Sequence, residues 1–523
     1  MPPRVNACAV LLVVAFVTAL VAAPKPRLSV AVPPPTEPAA TQATSRPSWP
    51  PVPDDALLRV YQTELGDRFD PAKSKQYLAA QDLIESYFEN PKAAARSAVV
   101  KQLEATGLDA GTVGRLCRVR KYWPALDAGG VYYVNEKVGV FPTRYFFGLP
   151  RQYDRTKPWP LVIKLPTAHA FITDPPPTAE QVAQIYTKWV KEELEAHPDA
   201  VVVMPLLNLD ELWGPSYGGT AAVVQPMQHV AGRANIDPSR VYLSGHAMSS
   251  YACWNLALHQ PTYFAAFNAL AGGASQPFQR IRVINLRNTL PVAWHDADDK
   301  VTSVKSTQGI VQALRLQKVN VEYEETKGLG HAPDAATEAR LYQKMRSRTR
   351  ELYPTSVALQ SNRPDSAYNR VDWVQVYQPL EPGDEKKATF GWGSGVMRYN
   401  ANSHRLEATR NGNRVDVTAS NVETFRVYLN DQMVDLTKPV TVAVNGRVRF
   451  EGVVPQSVDE MMKDQIFLGR GWRYFTAVVD IDVTGRPTPT TTLPATRAAT
   501  RPATVPGVRP ATVPATRRTL PSR

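Results

Sequence analysis

Residues 241–250 have the pattern that places a nucleophilic side chain at a sharp turn between a strand and a helix. In the pattern G-x-S-x-G, a strained backbone lifts a serine hydroxyl above the end of the strand, where it can attack an electrophilic carbon. Here Gly245 fills the first glycine position, but Ala247 fills the serine position and Ser249 fills the second glycine position. The pattern therefore predicts the turn and also predicts that its usual nucleophile is missing.

The approach to this turn, IDPSRVYLSGH at residues 236–246, resembles the corresponding segment of the α/β-hydrolase superfamily. The resemblance is closest to secreted feruloyl esterases, polyhydroxybutyrate depolymerases and prolyl-oligopeptidase-like catalytic domains. It covers residues 129–353, somewhat under half of the chain. It implies the fold of these serine esterases and peptidases, and it leaves activity open because the nucleophile position is altered.

The resemblance also implies an acid after a later strand and a histidine on a loop after the last core strand. Asp299, in the segment HDADDKV, takes the acid position, with Asp298 as the close alternative, and His331 in GLGH takes the histidine position. Taken singly, an Asp-rich turn commonly caps a helix and such a histidine is an ordinary polar residue. Their order after Ala247 favours a catalytic triad that has lost its serine.

The expected oxyanion hole is altered as well. Relatives commonly follow the strand at residues 161–165 with His-Gly or a glycine run whose N–H groups bind the developing negative charge. This chain has Pro166 there, and proline has no N–H to donate. The backbone N–H of Met248 is the remaining candidate donor. The side chains expected to line the same pocket are His246, Thr167, His169 and His295.

Three functional hypotheses follow from these changes. The first is a catalytically silent protein whose pocket binds an ester, peptide or glycan. The second is an active serine esterase or peptidase whose nucleophile has moved to Ser249 or Ser250, with His331 as the base. The third is a structural or interaction protein of the cell envelope, since a fold alone does not establish function. No H-E-x-x-H, P-loop or paired C-x-x-C motif is present, so neither a metal nor a cofactor is expected.

The elements that must position these residues follow an alternating pattern between residues 129 and 353. Short apolar strands separated by amphipathic helices predict an α/β fold with a mostly parallel sheet covered on both faces. The predicted strands are 131–134, 144–149, 161–165, 200–204, 241–243, 265–270, 291–294 and 321–323. The predicted helices are 180–197, 220–234, 249–259 and 307–317.

Two further domains flank this region. Residues 54–128 have helical periodicity and predict a small helical domain. Residues 354–484 indicate strands only and predict a β-sandwich-like domain, because Asn445-Gly446 and the segment around Gly412 are typical hairpin turns between alternating strands.

Both ends of the chain have biased compositions. Residues 1–23 predict an export signal or an uncleaved membrane anchor through residues 7–23, so we expect an extracytoplasmic protein that is secreted, periplasmic or membrane-anchored. Residues 24–53 and 485–523, rich in Pro, Ala and Thr, predict a disordered linker and a disordered tail. Cys117 and Cys253 are too few to form a disulfide framework.

The formal net charge of +12 is concentrated in these ends. The seven arginines of residues 486–523 and the net three positive charges of residues 1–47 leave about +2 for the rest of the chain. The folded region therefore has no basic excess that would favour nucleic-acid binding. The sequence leaves the oligomeric state open.

Overall fold

The computed structural model describes residues 49–138, 141–167, 177–206, 217–274, 277–389 and 396–485. Its α-helices are α1 (Asp54–Leu65), α2 (Ser74–Glu89), α3 (Ala93–Ala105), α4 (Ala110–Leu116), α5 (Ala179–Ala196), α6 (Tyr217–Val230), α7 (Met248–His259), α8 (Pro277–Arg280), α9 (Val304–Leu316), α10 (Ala335–Arg346) and α11 (Val458–Leu468). Its first eight strands are β1 (Val131–Val138), β2 (Phe141–Gly148), β3 (Trp159–Leu165), β4 (Val201–Pro205), β5 (Ile236–His246), β6 (Ala266–Leu270), β7 (Leu290–Asp296) and β8 (Glu322–Thr326). The later strands are β9 (Ser356–Ser361), β10 (Arg370–Val371), β11 (Val374–Gln378), β12 (Glu385–Thr389), β13 (Val396–Asn400), β14 (His404–Asn411), β15 (Arg414–Ser420), β16 (Thr424–Leu429), β17 (Val440–Val444), β18 (Arg447–Gly452) and β19 (Ala477–Asp482).

Strands β1 to β8 form one sheet in the order β1-β2-β4-β3-β5-β6-β7-β8. Strands β1 and β2 pair antiparallel, β2 pairs antiparallel with β4, and the strands from β4 to β8 run parallel. Each strand predicted between residues 129 and 353 overlaps one of these eight. The predicted mostly parallel sheet is confirmed.

Helices cover both faces of this sheet, because side chains of a strand alternate between its faces. Leu161 and Ile163 of β3 pack in the cluster that holds buried residues of α6, α7 and α9. Val162 points to the other face and packs with residues of α10, while α5 covers the neighbouring strands on that face. The central strands are therefore apolar at successive positions. We call residues 131–346 the central domain.

The helical domain is completed by the far end of the chain. Helix α11 packs against α3 and α4, and Met461 and Met462 are buried in the same cluster as residues of α1 and α2. Arg470, just after this helix, forms a buried ion pair with Glu85 of α2 at 2.6 Å. The prediction of strands only after residue 354 is wrong for α11, which is stabilised by helices more than 300 residues away in sequence.

The remaining C-terminal strands form the β domain, residues 356–452 and 477–482. A five-stranded sheet (β18-β17-β15-β14-β9) and a four-stranded sheet (β10-β11-β16-β19) enclose a common apolar core. Asn445 and Gly446 have φ values of 50° and 79° in the turn between β17 and β18, so this predicted hairpin is confirmed. The hairpin around Gly412, between β14 and β15, is confirmed as well.

At the N-terminal side the packed chain begins before the predicted boundary. Val52 is buried, and its N–H donates to the Lys121 carbonyl at 2.7 Å. The predicted linker therefore extends too far, because this backbone is paired and its side chain belongs to the helical core. The predicted signal or anchor (1–23) and the tail from residue 486 lie outside the described residues. No helix within the described ranges is long and apolar enough to cross a bilayer.

Candidate functional site

The turn between β5 and α7 has the strained backbone that its sequence predicts. Ala247 has φ 53° and ψ −116°, a backbone conformation that residues other than glycine rarely adopt. Its N–H donates to the Leu270 carbonyl at 2.8 Å, which fixes the turn to the neighbouring strand. A Cβ atom at Gly245 would lie 2.4 Å from the Ser249 carbonyl oxygen, so only glycine fits there. The chain thus keeps a strained turn whose catalytic side chain it does not carry.

Replacing Ala247 with glycine should raise the free energy of unfolding. Strain of this kind costs about 1–3 kcal/mol, and glycine would relieve it. Glycine also makes the unfolded chain more flexible, which lowers the gain in the free energy of unfolding by up to about 1 kcal/mol. We expect a net gain of about 1 kcal/mol, measured from the urea midpoint. The control Ala98→Gly, at an exposed position in the interior of α3, should lose about 1 kcal/mol because glycine weakens a helix. Equal losses in both variants would show that Ala247 is unstrained.

The acid and the histidine of the predicted triad lie together beside this turn. Asp299 Oδ2 accepts a hydrogen bond of 2.9 Å from His331 Nδ1. The side chain of Asp299 is fully buried, whereas that of His331 is 27% exposed. Asp298, the alternative acid, instead donates its N–H to Asp296 Oδ1 at 2.9 Å. In its neutral form His331 therefore carries its proton on Nδ1 and leaves Nε2 as an acceptor.

Several donors converge on the Asp299 carboxylate. The N–H groups of Val301 and Thr302 donate to Oδ1 at 2.7 and 3.1 Å, and His295 Nε2 lies 3.2 Å from Oδ2. Burial by itself would raise the pKa of Asp299, but the hydrogen bonds from His331, Thr302 and Val301 outweigh it and hold the pKa below its usual value. Asp299 is therefore a carboxylate held in one position, with a hydrogen bond to His331 and with His295 in contact beside it. The role of His295 in this pair was not predicted.

His246 lies beside His331 and fixes its backbone. Its Nε2 donates to the His331 carbonyl oxygen at 2.7 Å, and the two ring centroids are 4.9 Å apart. Burial lowers the pKa of His246, and the hydrogen bond to His331 only partly opposes this shift. His246 therefore forms a neutral wall of the site next to Ala247.

Asp296, which the sequence analysis did not single out, holds the loop that carries His331. Its carboxylate accepts from the N–H of Leu329 at 3.0 Å and from Thr326 Oγ1 at 2.8 Å. Burial opposes ionisation, but these hydrogen bonds and that from the Asp298 N–H lower the pKa of Asp296 to about 2. The available signal was an acid at the end of a buried strand, where loop N–H groups need acceptors.

The sheet has the strand order of this fold, and the strained turn follows β5. The acid follows β7 and the histidine follows β8, which are the positions that the fold gives to a triad. The central domain has the α/β-hydrolase fold. The expectation drawn from residues 236–246 is thereby confirmed for the fold.

Solved structures similar to this chain match it over 42% of its length. They include a thermostable esterase (18% identity, TM-score 0.34), a ferulic acid esterase (17%, 0.32) and Thermogutta terrifontis esterase 2 phosphorylated by paraoxon (10%, 0.32). The matched region spans 63%, 96% and 93% of these chains, respectively, and so less than two thirds of the first. No protein-family model matches the chain. No curated protein matches it either.

The two serines that follow the turn of this α/β-hydrolase domain are bound to backbone carbonyls. Ser249 Oγ donates to the Pro166 carbonyl at 2.6 Å, and Ser250 Oγ donates to the Gly272 carbonyl at 2.9 Å. Both residues are fully buried. Each hydroxyl proton is thus used within the domain, and neither serine is brought into a hydrogen bond with His331. This placement counts against both as replacement nucleophiles.

On the oxyanion side of the α/β-hydrolase site, Met248 offers a backbone N–H. Met248 is the first residue of α7, and an N–H in the first turn of a helix has no intrahelical acceptor. Thr167 is half-buried after β3, next to Pro166, whose carbonyl accepts from Ser249. His169 lies outside the described residues.

Proposed function

We propose that this chain is an exported, non-catalytic protein of the α/β-hydrolase fold that binds an ester, peptide or glycan at the site around Ala247. The observation that carries the proposal is an alanine at the strained nucleophile position beside an intact Asp299–His331 pair. A triad histidine acts by taking the proton of the nucleophile, and its aspartate orients it for that step. With alanine at that position, the pair has no protein hydroxyl there to deprotonate.

The hydrogen bonds of the Ser249 and Ser250 hydroxyls support the absence of catalysis. Ser249 and Ser250 are fully buried and donate to backbone carbonyls, so attack by either would break a buried hydrogen bond first. The loop after β3 begins with Pro166, which removes one N–H from the region where relatives bind an oxyanion. Loss of the nucleophile and of an oxyanion donor together supports a binding role over catalysis.

Exposed apolar side chains support binding. Val301 is 63% exposed and follows Asp299 by two positions in the sequence. Leu329 is 38% exposed and precedes His331 by two positions. Apolar side chains beside a few fixed polar groups are typical of small-molecule sites. The polar pair would orient a ligand, and the apolar pair would contribute contact area.

A fluorophosphonate probe tests the proposal on the full chain. We expect no covalent labelling of the wild type, since no described serine at the turn pairs with His331. Mass spectrometry would locate any adduct, and the variants Ser249→Ala, Ser250→Ala and His331→Ala would identify its chemistry. Labelling at Ser249 or Ser250 that disappears in His331→Ala would overturn silence and establish a relocated nucleophile.

Export is part of the proposal and has its own measurement. The charged start and apolar run of residues 1–23 support it. Cell fractionation should place the protein outside the cytoplasm, and N-terminal sequencing of that material should show whether residues 1–23 have been removed. Recovery in the cytoplasm with Met1 intact would contradict export.

A further inference from the structure

The α/β-hydrolase site has kept a hydrogen-bond acceptor whose usual donor is gone. The bond from His331 Nδ1 to Asp299 Oδ2, 2.9 Å long, leaves the Nε2 lone pair of the neutral imidazole directed away from the carboxylate. In active serine hydrolases the nucleophilic hydroxyl donates to this nitrogen. Ala247 has no hydroxyl, so the side chain at this position offers Nε2 no donor.

Neighbouring side chains in the described part of the chain use their protons elsewhere. Ser249 and Ser250 donate to the carbonyls of Pro166 and Gly272. His246 Nε2 donates to the His331 carbonyl, although its ring is only 4.9 Å from the His331 ring. Within the described residues, the polar contact of the His331 ring is therefore with Asp299 through Nδ1.

The polar network around His331 holds its ring in one orientation. The Asp299 side chain is fully buried and accepts from the N–H groups of Val301 and Thr302 in addition to His331. A buried carboxylate is tolerated when hydrogen bonds satisfy it, and here they also hold the imidazole in one orientation. The acceptor is thus pre-organised, which lowers the entropic cost of binding a donor.

Resting on the binding function proposed above, we propose that the ligand presents a hydroxyl group that donates to His331 Nε2 at the position of the missing serine hydroxyl. An ester or ether oxygen cannot fill this role because it carries no proton. Among the ligand classes proposed above, this favours a hydroxyl-bearing molecule over a fully substituted ester. The exposed Val301 and Leu329 favour an apolar skeleton next to that hydroxyl.

A matched pair of probes tests the hydroxyl. 4-Ethylphenol, neutral at pH 7 like tyrosine, has an apolar ring and one O–H donor, and 4-ethylanisole replaces that proton with a methyl group. We expect the phenol to bind the full-length wild type about tenfold more tightly than the ether, a typical effect of losing a hydrogen bond to a desolvated acceptor. Saturation-transfer NMR titrations would give both dissociation constants.

The variant Ala247→Ser makes the test specific to His331. Its new hydroxyl should donate to Nε2 and compete with the ligand, so the preference for the phenol should fall to about twofold or less. The control Ala98→Ser adds the same hydroxyl at an exposed position in the interior of α3, away from the turn, and should keep the tenfold preference. Circular dichroism would establish that each variant is folded before titration.

The outcomes separate this inference from the proposed function. A phenol preference in wild type and Ala98→Ser that is lost in Ala247→Ser supports the hydroxyl. Equal affinity for phenol and ether, a preference unchanged in Ala247→Ser, or binding of neither probe up to their solubility limits would overturn it. None of these results depends on labelling of wild type by a fluorophosphonate, which is the result that would overturn silence.

Discussion

Replacing Ala247 with serine is expected to create a serine that fluorophosphonates label roughly a thousandfold faster than an ordinary serine hydroxyl, whereas the wild type should stay unlabelled. The strained turn already holds residue 247 at φ 53°, and the acid and histidine are already paired at 2.9 Å. The new Oγ would attack phosphorus, fluoride would leave, and the proton would pass to His331. A single methyl-to-hydroxymethyl change would thus restore a reactive centre.

The size of this effect follows from two opposing contributions. Loss of a triad member lowers kcat by about a millionfold in a serine protease, so restoring the serine could recover that much. Loss of one oxyanion-hole donor costs about 10²–10³-fold, and Pro166 cannot supply an N–H at its position. Met248 remains as a donor. Dividing the recovery of about a millionfold by the loss of up to about 10³-fold leaves a gain of roughly a thousandfold in the labelling rate.

Second-site variants decide whether the gain comes from this triad. Adding His331→Gln to Ala247→Ser should remove most of the reactivity, because the serine would lose its base. Adding Ser249→Ala should leave labelling in place, since the Ser249 hydroxyl is bound to the Pro166 carbonyl. Absence of labelling in a folded Ala247→Ser protein, or labelling indifferent to His331→Gln, would show that Asp299 and His331 are not arranged as a triad.

The turn could be predicted from sequence because its determinants are local. Gly245, the apolar strand before it and the helix after it specify a backbone conformation within about ten residues. The order of Asp299 and His331 was predictable by resemblance for the same reason: each follows a recognisable strand.

The resemblance placed Asp299 in the acid position, but the sequence left Asp298 open as the alternative. Asp298 and Asp299 lie in one loop. The direction of each side chain depends on which N–H groups donate hydrogen bonds to the carboxylates of Asp296 and Asp299. Those donors come partly from the loop after β8, about thirty residues later. The buried contact of the Ser249 hydroxyl with Pro166 is equally non-local, which is why Ser249 remained a nucleophile candidate until the packing was known.

Helix α11 shows the same limit at the level of the fold. Its apolar residues Met461 and Met462 are buried only because helices from residues 54–116 pack against them. Strands surround α11 in the sequence, so local context favoured strands there. Tertiary contacts of this range override the surrounding pattern.

The largest expected loss of stability comes from Asp372→Asn, at the junction of the central and β domains. Asp372 is fully buried, and its Oδ1 lies 2.5 Å from Arg350 Nη2 and 3.5 Å from Arg473 Nη1. Arg350 also donates to the carbonyls of Phe264 and Asn288 at 3.0 Å. One carboxylate therefore compensates two buried guanidinium groups between the domains.

Asparagine keeps the shape of Asp372 but removes its charge, so both guanidinium groups would stay buried without a counter-ion. Removing one partner of a buried ion pair typically costs about 3–5 kcal/mol, and we expect Asp372→Asn to lower the free energy of unfolding by that amount in urea. The control Asp199→Asn removes a 52% exposed partner of Arg346 and should cost less than about 1 kcal/mol. Comparable losses in the two variants would mean that Asp372 contributes no more than an exposed ion pair, because water would then be screening Arg350 and Arg473 as it screens Arg346.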